Sequence, residues 1–75
     1  MSAEMLVAFE RAEGTERVVA SWHNDGQRHF LELSRERKTI DGWALIYRIT
    51  FPPSDIFALH DAIGVACDLA GGVRR

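Results

Sequence analysis

The chain has 75 residues, of which 47% are apolar and 27% are charged. These proportions are ordinary for a globular protein and argue against disorder. A chain of this length makes one domain at most, over residues 1–75, and buries only about 60% of the surface that it exposes when unfolded. The formal charge of −2, from nine basic and eleven acidic residues, disfavours a non-specific polyanion binder, although the distribution of charge matters more than its sum.

The number of cysteines and the length of the apolar runs indicate the cellular compartment. Cys67 stands alone and cannot form an internal disulfide, so nothing requires an oxidising environment. The first residues lack the basic and apolar regions of a signal peptide, and no apolar run approaches the eighteen or so residues needed to cross a membrane. The sequence therefore predicts a cytoplasmic protein with no membrane partner.

Three glycine-centred turns, at Gly14, Gly26 and Gly42, divide the first fifty residues into segments of strand length. We expect strands over about 5–10, 16–23, 28–37 and 43–51. The last strand alternates with period two, which predicts that Trp43, Leu45 and Tyr47 share one face of a sheet. Consecutive strands with short turns favour an antiparallel meander.

Pro52-Pro53 ends the last strand and suits the first turn of a helix. Apolar residues then recur at three- and four-residue spacing, which predicts a helix over about 53–70. Gly71-Gly72 is expected to end the helix, before a short basic tail, Arg74-Arg75. The predicted fold class is α+β: an antiparallel meander of about four strands followed by one C-terminal helix.

Signals for catalysis are sparse. The three histidines, His23, His29 and His60, sit at no familiar ligand spacing, and one cysteine cannot complete a zinc site. No nucleophile elbow or glycine-rich phosphate loop is present in the sequence. We therefore predict a protein that is not an enzyme and that uses no cofactor and no metal.

Basic and aromatic residues fall together on or beside the predicted strands. Cations that follow phosphates and aromatic rings that stack on bases are the combination that holds single-stranded nucleic acid. The candidate binding residues are Arg28, Arg35, Arg37, Lys38, Arg48, Trp22 and Phe30. In the simpler interpretation, Trp43 and Tyr47 build the core beside Leu45 and Ile49, and the run from Arg35 to Lys38 is a solvated loop flank.

The stretch FLELSRERKTIDGWALIYRITFPPSDIFALHDAI, residues 30–63, resembles the positive cofactor four transcriptional coactivators and their bacterial and phage relatives. Phe51-Pro52-Pro53 stands where that family has an apolar residue, Asn and Pro, and Leu59 and Ile63 match its apolar helix positions. The resemblance implies a curved four-stranded sheet, a homodimer formed through the helix, and a groove for single-stranded DNA. It carries over Arg35, Arg37, Lys38 and Arg48 as phosphate contacts.

The helix also carries small residues that suit a close contact between two helices. The expected dimer interface comprises Ile56, Leu59, Ile63, Gly64, Ala66 and Cys67. Two functions follow as hypotheses: a small binder of single-stranded DNA or RNA, of transcriptional-coactivator type, or a non-enzymatic adaptor that offers a sheet face or strand edge to another protein.

Overall fold

The computed structural model describes residues 2–74, and the side chains of the predicted basic tail Arg74-Arg75 lie outside what it describes. Four antiparallel strands pair in chain order, and a single helix follows them. The elements are β1 (Ser2–Arg11), a 3₁₀ turn (Ala12–Gly14), β2 (Glu16–Asn24), β3 (His29–Thr39), β4 (Gly42–Phe51) and α1 (Pro53–Arg74). The predicted α+β class, a four-stranded meander followed by a C-terminal helix, is confirmed.

The element bounds differ from the predicted ones mainly at two places. Strand β1 extends over ten residues, because pairing with β2 continues on both sides of the predicted range, residues 5–10. The helix does not end at Ala70 but continues through Gly71-Gly72 to Arg74. Neither glycine takes the positive φ that terminates a helix, and a helical glycine costs only about 1 kcal/mol relative to alanine.

Each outer strand of the sheet contains one extra residue. In β1, Met5 pairs with Ser21 and Val7 with Ala20, so Leu6 is a bulge. In β4, Tyr47 pairs with Arg35 while Leu45 pairs with Glu36, so Ile46 is a second bulge. A bulge shifts the alternation of side chains by one residue. The period-two pattern of β4 is therefore interrupted in the middle of the strand.

The bulge at Ile46 overturns one prediction. Directly paired residues on antiparallel strands project from the same face of the sheet. Tyr47, Ile49 and Phe51 lie on one face, whereas Trp43 and Leu45 lie on the other. The expectation that Trp43 and Tyr47 share a face was wrong. The alternation of residue types along the sequence shows no break at Ile46, so it gives no sign of the bulge.

The register divides the sheet into two chemically different faces. On one, which we call the apolar face, β1 to β4 contribute mostly apolar side chains: Val7, Phe9, Val18, Ala20, Trp22, Leu31, Leu33, Tyr47, Ile49 and Phe51. The other, which we call the mixed face, carries charged, polar and aromatic side chains beside the apolar Val19 and Leu45: Arg17, Ser21, His23, Phe30, Glu32, Ser34, Glu36, Lys38, Trp43, Arg48 and Thr50.

Little of this surface is covered within one chain. The molecule measures 43 × 37 × 16 Å, and the buried apolar residues of its described part are Val19 and Ala20. Helix α1 contacts β3 and β4, and over residues 53–73 it is half-buried at Ile56, Leu59 and Gly71. A sheet normally buries one face against a second layer. Here that layer is incomplete.

By length and composition alone, Pro53–Val73 qualifies as a helix able to cross a membrane. The expectation that no segment would reach that length is thereby corrected. Asp61 and Asp68 lie within this segment, seven residues apart and hence on one side of the helix. A carboxylate at a bilayer centre costs about 2.5–3.5 kcal/mol. The helix therefore has two carboxylates on one side, a third at Asp55 in its first turn, and a wide apolar surface.

Candidate nucleic-acid interface

Two pairs of a cation and an aromatic ring lie at opposite ends of the mixed face. The guanidinium carbon of Arg17 is 4.6 Å from the centroid of the Trp43 ring, and that of Arg28 is 5.5 Å from the centroid of Phe30. Both separations are within the roughly 6 Å range of cation–π attraction. From Phe30 to Lys38, beside Trp43, β3 spans about 27 Å. The mixed face thus offers aromatic and cationic groups along most of the sheet.

Between these two ends, the charges of the mixed face are largely paired. Arg17 forms an ion pair with Glu36. Glu32 lies 3.2 Å from His23 Nε2 and 3.7 Å from Arg48 Nη1, so one carboxylate bridges two strands. Such partly exposed pairs contribute at most about 1 kcal/mol each. An incoming anion can therefore displace them at small cost.

Two cations of the mixed face differ from the others. Among the ion pairs of residues 2–73, none involves Arg28 or Lys38, and both residues are exposed. Because no carboxylate has to be displaced from them, they are the cations of this face most available to a phosphate.

The predicted binding residues do not gather on one face. Arg28, Phe30, Lys38 and Arg48 lie on or beside the mixed face. The other three candidates, Trp22, Arg35 and Arg37, lie on the apolar face. There Glu16 accepts hydrogen bonds from Arg35 at 2.9 and 3.0 Å and lies 3.9 Å from Arg37. Trp22 stacks on His29 with ring centroids 6.1 Å apart.

The sequence interpretation missed Arg17 and Trp43. Trp43 was assigned to the core because its parity matches that of Tyr47 and Ile49. The spacing of Trp43 and Arg48 could have revealed this. In a regular strand, residues at an odd separation project from opposite faces, so Trp43 and Arg48 can share the mixed face only if one residue between them is a bulge. Nothing in a single sequence identifies that residue as Ile46.

The turn between β2 and β3 positions Arg28. The backbone N–H of Arg28 donates to Asp25 Oδ1 at 2.7 Å, and that of Asp25 donates to the Arg28 carbonyl at 3.1 Å. Gly26 has φ of +94°, which few other residues adopt. The hydrogen bond from the Arg28 N–H, aided by a second from Gln27 and by the charge of Arg28, lowers the pKa of Asp25 below its ordinary 3.8.

A groove lies between this turn and the junction of β4 with α1. It is lined by residues 27–30 on one side and by Thr50, Pro52 and Pro53 on the other. The Phe30 ring is parallel to His23, at an interplanar angle of 2° and a centroid separation of 4.8 Å. The groove therefore places a fixed aromatic ring, a cation and an apolar wall within one concavity.

The site offers no arrangement for metal chemistry. Within the part of the chain that is described, no group of three or more His, Cys, Asp or Glu side chains is placed to hold a metal ion. Cys67 is exposed on the helix.

Comparisons with known proteins add no relative. A scan against protein-family models, a search of curated proteins and a search of solved structures each returned no match.

Proposed function

We propose that this chain is a homodimeric binder of single-stranded nucleic acid, with the strand lying across the mixed face. The observation that carries the proposal is the presence of two cation–aromatic pairs, Arg17 with Trp43 and Arg28 with Phe30, on one face of one sheet. Stacking on an aromatic ring contributes about 1–3 kcal/mol per base and tolerates any sequence. Cations between the rings would follow the phosphates.

The proposed surface modifies the set of residues expected from the sequence. Arg28, Phe30, Lys38 and Arg48 remain, and Arg17 and Trp43 join them. Arg35, Arg37 and Trp22 are set aside, because they project from the apolar face, which the dimer is proposed to cover. The resemblance to the positive cofactor four family remains a prediction and agrees with this function.

The dimer is supported by the area that one chain leaves exposed. Its accessible surface is 6057 Å², whereas a compact monomer of 8.5 kDa exposes about 4,700 Å². Burying an excess of roughly 1,400 Å² on each of two copies gives an interface within the range of obligate homodimers, about 2,000–5,000 Å². The apolar face and the exposed helix supply this area.

Gly64 supports a contact made by the helix. It lies in the helix interior, where glycine is unfavourable by about 1 kcal/mol relative to alanine. A Cβ built at Gly64 meets no described atom within 4 Å. Nothing in the described part of the chain therefore requires the missing side chain, whereas a second helix at close approach would require it.

The test is binding of oligo-dT, followed by anisotropy of a labelled oligonucleotide at low and moderate salt. Neutralised phosphates release counterions, so we expect affinity to fall steeply as salt rises. Lys38 and Arg37 are neighbours of like charge on opposite faces and provide a matched pair. Lys38→Gln should weaken binding and reduce the magnitude of the salt slope by about 1, while Arg37→Gln leaves both unchanged. Absence of binding at low salt would contradict the proposal.

The paired charges of the mixed face favour a second candidate, a protein-interaction adaptor. Alternating carboxylates and cations, as in Arg17–Glu36 and Glu32–Arg48, match a partner surface of mixed sign better than a uniform polyanion. A specific protein that co-purifies with the chain from source cells, and is unaffected by nuclease, would support this alternative. Release of that partner by nuclease would instead favour the first proposal.

A further inference from the structure

The groove at the Phe30 end of the mixed face combines groups from three parts of the chain. Arg28 and Gln27 come from the β2–β3 turn, Phe30 from the beginning of β3, and Thr50 and Pro52 from the end of β4. These side chains differ in kind: a cation, an amide, an aromatic ring, a hydroxyl and a proline ring. Ligand sites commonly join an apolar lining to a few polar groups that fix orientation.

The aromatic ring in this groove is held in place. Phe30 stacks on the His23 imidazole with an interplanar angle of 2°, and His23 Nε2 lies 3.2 Å from Glu32 Oε2. Each contact restrains the next, so the orientation of Phe30 is set by residues on two strands. A ring that is already oriented loses little conformational entropy when a ligand stacks on it.

The cation is also positioned before any ligand arrives. Two hydrogen bonds between Asp25 and the backbone of Arg28 close the turn, and a third joins the Gly26 N–H to Asn24 Oδ1 at 2.9 Å. The Arg28 guanidinium lies over Phe30 and takes part in none of the ion pairs of residues 2–73. It can therefore hold a phosphate next to a base that contacts the ring.

We infer that this groove is a subsite for one nucleotide of the bound strand. The base takes the place of the Arg28 guanidinium over the Phe30 ring, whose opposite face is covered by His23. The displaced guanidinium holds an adjacent phosphate, and the Gln27 amide and Thr50 hydroxyl face the edge of the base or its sugar. The inference rests on the proposed function and adds to it a defined pocket.

The test compares oligo-dT binding by variants at the ring and at the cation. Phe30→Leu should weaken binding about 5- to 100-fold, because a stacked base is lost, whereas Phe30→Tyr keeps the ring and should restore it to within about twofold. Arg28→Gln should weaken binding and lower the salt dependence. Arg11→Gln removes the same charge at the far end of β1, on the apolar face, and should leave oligo-dT binding unchanged provided that sedimentation velocity shows the same dimer. Circular dichroism checks that each variant retains strands and helix.

A second measurement separates this inference from the proposed function. Titration of the native protein with thymidine monophosphate should shift the backbone amide signals of Gln27, Phe30 and Thr50 but not that of Lys38. If oligo-dT binds, yet Phe30→Leu binds like the native protein and the amides do not move, the subsite is wrong and the wider interface stands. If Phe30→Leu fails to fold, the amide shifts alone decide. If the native protein binds no oligo-dT at low salt, both proposals fail.

Discussion

The guanidinium of Arg17 lies over the indole ring of Trp43, 4.6 Å from its centroid, although 26 residues separate them in the chain. Strand β3 lies between their two strands, and its Glu36 forms an ion pair with Arg17. The relationship depends on the Ile46 bulge, which brings Trp43 to the face that carries Arg17. The contact between Arg17 and Trp43 links β2 to β4 over the intervening strand β3, at one end of the mixed face.

This relationship predicts a measurable contribution to stability. Arg17→Gln should lower the free energy of unfolding by about 0.5–2 kcal/mol, because the cation–π contact and the partner of Glu36 are both lost. Arg17→Lys keeps the charge and should lose less. Urea denaturation followed by circular dichroism measures the difference. Equal losses in the two variants would show that positive charge alone does not supply this stability, whereas no loss in Arg17→Lys would show that the planar guanidinium contributes nothing beyond its charge.

Replacement of the helix glycine distinguishes a free helix from a paired one. In a solvated helix, Gly64→Ala should stabilise the protein by about 1 kcal/mol, because alanine favours the helix. In a close helix pair, the added methyl should instead lower the affinity of the dimer. Sedimentation velocity over a concentration series measures that affinity. Gly72→Ala, near the helix end, is the matched control and should leave it unchanged.

Acid should loosen the β2–β3 turn. The lowered pKa of Asp25 means that its ionised form stabilises the folded turn. That stabilisation is fully present above the ordinary pKa of 3.8 and is lost as pH falls through the lower folded value. Carbon-detected NMR of the Asp25 carboxyl, with hydrogen exchange of the Arg28 amide, follows both events. Asp25→Ala should show fast exchange of that amide at every pH, whereas Asp25→Asn retains an acceptor oxygen and should slow it.

Deletion of Ile46 should exchange the faces of residues 42–45. Without the extra residue, β4 alternates regularly and Trp43 moves to the apolar face, away from Arg17. In a Trp22→Phe background, the fluorescence of Trp43 should change and oligo-dT quenching should disappear. Ile46→Val keeps the bulge and should retain both. If the fluorescence is unchanged in the deletion variant, the register of β4 is set by the β3–β4 turn and not by the bulge.

The sequence predicted the order and type of the elements because those are set locally. Glycine turns, period-two alternation and a proline-initiated helix each act within a few residues. The faces could not be predicted to the same extent. A bulge is a property of two paired strands, and neither Leu6 nor Ile46 differs in type from its neighbours.

The residues of the candidate site divide in the same way, into those that local sequence signals predict and those whose face depends on strand pairing. Arg28 and Phe30 were predictable, since they flank a turn that the sequence identifies, and the structure brings them together. Arg35 and Arg37 were grouped with them by proximity in sequence, but pairing with β2 places them on the apolar face beside Glu16. Trp43 was missed because the bulge at Ile46, which changes the face from which Trp43 projects, was not predicted.

The two bulged strands are also the two outer strands of the sheet, with Leu6 in β1 and Ile46 in β4. A regular outer strand is a template on which another chain can add strand after strand without limit. An irregular one resists such addition, since the local twist and the unpaired residue spoil its ladder of hydrogen bonds. Growth through the edges is therefore disfavoured on both sides. The proposed dimer would use the faces and the helix instead, and a closed pair of that kind has no free edge from which a fibre can grow.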